Sequence, residues 1–146
     1  MDRVALLNPF GRAGSVTLSG GGVAMRYPQA GDYEAWSRLR DQSRAHLQPW
    51  EPTWGPDELT RASYRRRINR YAQEIREDRG YPFWVLSVGG QLMGGCNLNN
   101  VRRGVAQMAS LGYWIGKPYA RRGYMTEAVR CAIAFGFEHV GLHRME

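Results

Sequence analysis

The sequence predicts an α+β fold: a mixed, mainly antiparallel sheet flanked by helices. Three observations carry that prediction. Two apolar runs, 83–88 and 92–99, meet at Gly89-Gly90, a two-residue hairpin signal. Two windows, 33–44 and 56–78, place apolar residues at helical spacing. A third window, 123–138, is apolar around most of its circumference, as in a helix covered by a sheet.

The elements follow in chain order. Residues 1–15 are weakly patterned and read as a loose N-terminal arm, which leaves 16–146 as the domain. Two short strands, 16–18 and 23–27, flank Gly20-Gly21-Gly22, and Pro28 closes the second. Asp32 is placed to N-cap the helix 33–44, with Tyr33, Trp36 and Leu39 as its apolar stripe. A linker, 47–55, carries Trp50, Glu51 and Trp54. Pro56 then sits where a first helical residue belongs, and Gly80 ends that helix. The run 83–88 has the continuous apolarity of a strand covered on both faces. Its partner is 92–99, and 107–115 is a further strand. A loop, 116–122, leads into the helix that Gly123 opens. Gly141 breaks the chain, and 142–146 begins another strand.

Composition bounds the rest. A chain of 146 residues suits one domain, and 43% apolar against 23% charged is a globular balance. No apolar run approaches the roughly 20 residues of a membrane-spanning helix, and the N-terminus lacks a signal peptide's apolar segment. Cys96 and Cys131 are too few for a disulfide framework, and no metal spacing involves them or His46, His139 and His143. A reducing cytoplasm fits. The net charge is +7, and Lys117 is the only lysine, so arginine dominates. Such a balance suits phosphate-bearing partners.

The informative stretch is 111–127, where a strand ends, a basic loop turns and a helix starts at Gly123. The first amides of a helix have no internal acceptor, and its dipole adds partial positive charge there. With Arg121 and Arg122 alongside, the start suits a pyrophosphate. An ordinary turn into a helix explains the same residues.

The element order, together with YWIGKPYARRGYMTEA (113–128), resembles the GNAT acetyltransferase superfamily. More narrowly it resembles the RimJ/RimL-type enzymes, which acetylate N-terminal amines of ribosomal proteins. SRAHLQPWEPTW (43–54), GGCNLNNV (94–101) and GLHRME (141–146) resemble the same branch, and the likeness covers 23–146. The superfamily's acyl-CoA signature is Arg or Gln, two residues, Gly, one residue, then Gly or Ala. Laid on 120–125 it keeps Gly123, while Ala120 and Met125 depart from it.

The resemblance implies an acetyl-CoA-dependent N-acetyltransferase that needs no metal. The amides of Arg121, Arg122, Gly123, Tyr124, Met125 and Thr126 would hold the pyrophosphate of acetyl-CoA. The backbone of Tyr113, Trp114 and Ile115 would pair with the pantetheine arm. The acceptor would be the N-terminus of a protein, ribosomal in this branch. Glu146 and Glu51 are candidate bases, each also readable as a surface carboxylate. Trp50, Asn97 and Asn99 are candidate substrate contacts, each also readable as ordinary packing or a strand-end cap. Against the family outline the chain stops at the start of the fifth principal strand. The expectation is a domain lacking its C-terminal part, poorly active alone, with a sheet edge open to self-association. Three other readings stay open: a GNAT enzyme for a small amine such as an antibiotic, an inactive acyl-CoA-binding fold, and a basic nucleic-acid-binding module resting on Arg65, Arg66 and Arg67.

Overall fold

The structure, a computed structural model, describes residues 16–146 and the backbone of residues 5–7. Among these residues, seven strands form one sheet in sequence order. They are β1 (Ala5–Leu7), β2 (Thr17–Gly20), β3 (Val23–Arg26), β4 (Tyr81–Ser87), β5 (Leu92–Arg102), β6 (Met108–Ile115) and β7 (Arg144–Met145). Neighbours from β1 to β6 are antiparallel, and β7 lies parallel to β6. The mixed, mainly antiparallel sheet read from the sequence is present. One part of the N-terminal arm differs from expectation: β1 pairs with β2 from Ala5↔Ser19 to Leu7↔Thr17. The rest of 1–15 lies outside the described residues.

The helices α1 (Tyr33–Gln42), α2 (Arg44–Leu47) and α3 (Arg61–Arg76) follow β3, and α4 (Tyr124–Phe135) follows β6. Alternation along β4 divides the core between two faces. Phe83 and Val85 join Met25, Cys96, Leu98, Ala132 and Phe135 on the α4 side. Trp84 joins Trp36, Leu39, Tyr64 and Tyr71 on the α1 and α3 side. The sheet is thus a covered middle layer, which explains the unbroken apolarity of β4.

One predicted helix cap is absent and one predicted helix start moves. The Asp32 carboxylate makes no cap bond to α1. It accepts two bonds from the Arg26 guanidinium, both at 2.8 Å, and one from the Gln29 amide at 2.9 Å. A bidentate arginine is the stronger partner. The helix expected from Pro56 begins instead at Arg61, where Thr60 Oγ1 accepts from the Ser63 amide at 3.2 Å. The preceding residues are turns, held by the Glu58 amide on Gly55 O and the Thr60 amide on Asp57 O.

Candidate functional site

The head of α4 carries a strip of uncommitted amides. Ala120 donates to Lys117 O at 3.2 Å, and Glu127 donates to Gly123 O at 3.2 Å. Among the described residues, the six amides between them, 121–126, have no acceptor. Gly123 caps the helix in the left-handed region, with φ 82 and ψ −3. Arg121 is also left-handed, at φ 60, a conformation that costs a non-glycine residue about 1 kcal/mol or more. Arg121, Arg122 and Lys117 are exposed around the strip. Met125, the residue that departs from the glycine-led signature, packs against the α4-side core. Its backbone can serve an anion while its side chain faces protein.

β6 supplies the edge beside that strip. The Gly116 amide donates to Met93 O at 2.8 Å on the β5 side, and the Leu111 amide donates to Glu146 O at 2.6 Å on the β7 side. Backbone groups alternate sides along a strand. Those of Tyr113 and Ile115 therefore face the β7 side, beyond the last β7 pairing and without a partner among the described residues. Trp114 is a correction: its backbone faces β5, opposite Gly95, and cannot pair with a pantetheine arm. Its side chain acts on the α1 face instead. Tyr113 is 63% exposed, as an open strand edge allows.

On the α1 face, Arg40 organises the linker that carries Glu51 and Trp54. Arg40 is only 5% exposed. Its guanidinium donates to both Glu51 oxygens, at 2.9 and 2.7 Å, and lies over the rings of Trp54 at 4.6 Å and Trp114 at 4.8 Å. Trp54 Nε1 also donates to Glu51 Oε1 at 2.9 Å. These groups, with Asn97, line one cavity of about 310 Å³.

The structure thus brings Glu51, Asn97 and Trp114 together, and it separates the other candidates. Trp50 is 85% exposed and lies outside that cavity. Asn99 opens on a different cavity, with Glu74 and Arg79. Glu146 is exposed on the strand beside β6, and its carboxylate pairs with Arg144 at 2.5 Å. Both candidate bases therefore hold arginine partners. Cys96 is no nucleophile: it is fully buried, and burial pushes its thiol up to about 12. Of the arginine cluster on α3, Arg66 pairs with Asp57 at 3.1 Å and Arg67 with Glu58 at 3.2 Å. That neutralises much of the charge a nucleic-acid surface would need.

Two contributors were missed from the sequence. Arg40 follows Trp36 by four residues and Ser43 follows Leu39 by four, so both continue the apolar stripe of α1. A charged or hydroxyl residue on a buried stripe was the signal. Among the described residues, no group of three or more His, Cys, Asp or Glu could hold a metal ion. None of the described helices is long and apolar enough to cross a membrane.

Comparison with known proteins adds a consistent set of relatives. Residues 23–146 match the acetyltransferase (GNAT) domain family. A probable N-acetyltransferase of Bacillus subtilis, YjcK, is 29% identical over 130 residues, covering 88% of this chain and 72% of that protein. The ribosomal protein uS5 alanine N-acetyltransferase of Escherichia coli is 28% identical over 118 residues, covering 78% of this chain and 60% of that enzyme. The structure of RimJ from Mycobacterium smegmatis, in complex with CoA-disulfide, superposes with a TM-score of 0.80 at 28% identity. That match covers 99% of this chain and 63% of RimJ. The chain therefore spans less than two thirds of the latter two relatives.

Proposed function

The chain belongs to the GNAT acetyltransferase domain family, and from that premise we propose that it transfers the acetyl group of acetyl-CoA to the N-terminal α-amino group of a protein; a ribosomal protein uS5 alanine N-acetyltransferase is among its relatives. The observation that carries the proposal is the strip of six uncommitted amides at 121–126, set at the head of α4 beside the open edge of β6. Consecutive amides at a helix start, with arginines alongside, suit a pyrophosphate. The Tyr113 and Ile115 edge suits an extended amide-bearing arm, which would add to β6 as a strand does. A backbone N–H at that edge would also stabilise the carbonyl oxygen as it gains charge.

The reaction asks little of the side chains. The amine nitrogen bonds to the acetyl carbon as the carbon–sulfur bond breaks. The nitrogen then loses a proton and the thiolate gains one. An α-amino group has a pKa of about 7.7–8.0, so on the order of a tenth is neutral at pH 7; a lysine, at about 10.4, is neutral in about one molecule in a few thousand. An N-terminal acceptor therefore needs only weak base assistance, from water or from a carboxylate such as Glu51 or Glu146. Neither carboxylate is required as a strong base.

Calorimetry with acetyl-CoA tests the donor half, with binding that weakens as salt rises. Transfer to peptides beginning with Ala or Ser, set against polyamines and aminoglycosides, tests the acceptor half. Absence of acetyl-CoA binding would overturn the proposal. Transfer to aminoglycosides alone would move it to a small-amine enzyme. The open β6 edge would also accept a second copy of the chain, so added CoA should reduce any concentration-dependent association seen in sedimentation.

A further inference from the structure

The flank of α3 that faces the segment between β3 and α1 carries a groove. Two hollows of about 280 and 310 Å³ meet there at Ile68. Tyr33 lines the first, and Tyr27, Pro28 and Ile75 line the second, so the floor is largely apolar. Two of its hydroxyls are spent inside the fold: Tyr33 donates to Leu59 O at 2.6 Å and Tyr64 to Gln29 O at 2.7 Å. The groove shares only the buried Tyr71 with the Arg40 cavity. Arginines stand at both ends of it. Arg65 and Arg76 are close to three helical turns apart, which puts them on one face of α3 at a spacing of about 16 Å along the axis. Both are exposed, and neither has an ion-pair partner among the described residues. On the facing segment the carboxylates are taken, Asp32 by Arg26 and Glu34 by Arg61.

We propose that this groove docks an extended, acidic segment of a partner protein, with apolar side chains in the two hollows and carboxylates on Arg65 and Arg76. The inference is independent of the acetyltransferase reading. Charge complementarity selects the partner: two unpaired cations rim an apolar floor, on a chain whose net charge of +7 disfavours a second copy of itself. An extended segment rises about 3.3 Å per residue, so carboxylates about five positions apart would span the two guanidinium groups. Its alternate side chains would enter the two hollows in turn. A nucleic acid strand would need free aromatic faces for its bases. The Tyr33 ring already has Tyr64 stacked on it at 5.7 Å and the Arg61 guanidinium at 4.6 Å, and Tyr64 and Tyr71 are buried. A membrane surface would need exposed apolar side chains. The large ones exposed among the described residues, Trp50, Val88, Val105, Tyr113 and Phe137, lie outside the groove.

The probe is the peptide Glu-Leu-Ala-Leu-Ala-Glu, blocked at both ends so that it offers no amine to an acetyl donor. Titration into the full chain, followed by isoleucine methyl resonances, should shift Ile68 and Ile75 and leave Ile115 and Ile133 in place. The double variant Arg65→Glu, Arg76→Glu turns attraction at two ion pairs into repulsion and should lose about tenfold in peptide affinity, with its acetyl-CoA titration unchanged. A peptide with Gln in place of both Glu should bind wild type several-fold more weakly. Equal affinity of the double variant, or of the Gln peptide, would overturn the assignment. The wild-type shifts decide the question should the variant fail to fold: silence at Ile68 and Ile75 refutes the site. Single-stranded oligouridylate that moves these two methyls where the peptide does not would put RNA in the groove and likewise overturn it. Loss of acetyl-CoA binding in wild type bears on the donor reading alone.

Discussion

Ser43 and Lys117 are joined by one hydrogen bond across the molecule: the Lys117 amide donates to Ser43 Oγ at 2.9 Å. Ser43 is fully buried where α1 passes into α2, and Lys117 opens the turn leading to the head of α4. A single buried hydroxyl thus ties the end of α1 to the loop ahead of α4. Ser43→Ala removes the acceptor and leaves a main-chain N–H unpaired in a partly buried place. The expected cost is about 1–2 kcal/mol in denaturant unfolding. Acetyl-CoA affinity should fall as well, because the loop loses its anchor. A variant with wild-type stability would show that the bond is replaced by water.

Arg40 holds the 51–54 linker through two kinds of contact, the paired bonds to Glu51 and the stacking between Trp54 and Trp114. Lysine keeps the charge but offers neither the fork nor the flat face. Arg40→Lys should therefore retain the fold and slow transfer to a peptide beginning with Ala, with acetyl-CoA binding little changed. Arg40→Ala strands the Glu51 carboxylate and should cost about 3 kcal/mol, the low end for breaking a buried pair, because Glu51 remains 20% exposed. Chemical unfolding, the transfer assay and the acetyl-CoA titration together separate these effects. Equal transfer by wild type and Arg40→Lys would remove the clamp from the reaction.

The order of elements was legible in the sequence because period and punctuation agree. Gly89-Gly90 sits between two apolar runs, and the 123–138 window is apolar nearly all round. What was not legible depends on partners far along the chain. Asp32 has the right residue type for an N-cap, yet Arg26 takes its carboxylate. Trp114 sits in the right motif, yet strand alternation turns its backbone toward β5. Asn97 and Asn99 share a strand face, yet they open on separate cavities, one beside Arg40 and the other beside Arg79. Local pattern specifies the element; the identity of the tertiary partner decides which side chain is left for chemistry.

Asp78 gives a pH-dependent contribution whose sign can be worked out. The Arg103 guanidinium, bonded at 2.6 and 2.9 Å, holds its carboxyl below the usual range, and the Tyr81 hydroxyl adds a further bond. A lowered folded value means stability that is fully present above the unfolded pKa of about 3.9 and is lost as pH falls through the folded value. Both side chains are 39% exposed, so the contribution is about 0.5–1 kcal/mol after screening. Asp78 has φ 56, which asparagine also tolerates, so Asp78→Asn removes the charge without backbone strain. Its Tm should lie below wild type at pH 7, with the gap closing in acid as pH falls through the folded value. A gap of the same size at both pH values would assign the effect to shape rather than charge.

Gly123 separates a structural cost from a ligand cost. At φ 82, an alanine there is strained, and left-handed geometry costs an L-residue roughly 1–2 kcal/mol. A Cβ at this position would meet no protein atom within 4 Å. No packing penalty is therefore added, and Gly123→Ala should unfold at slightly lower denaturant with an unchanged m-value. If a pyrophosphate lies against the 121–126 amides, the same methyl group occupies its approach. Acetyl-CoA affinity should then fall well over tenfold, more than a strained turn alone accounts for. Calorimetry at a temperature where wild type and variant are both fully folded isolates the binding effect. An affinity within twofold of wild type would place the phosphates elsewhere.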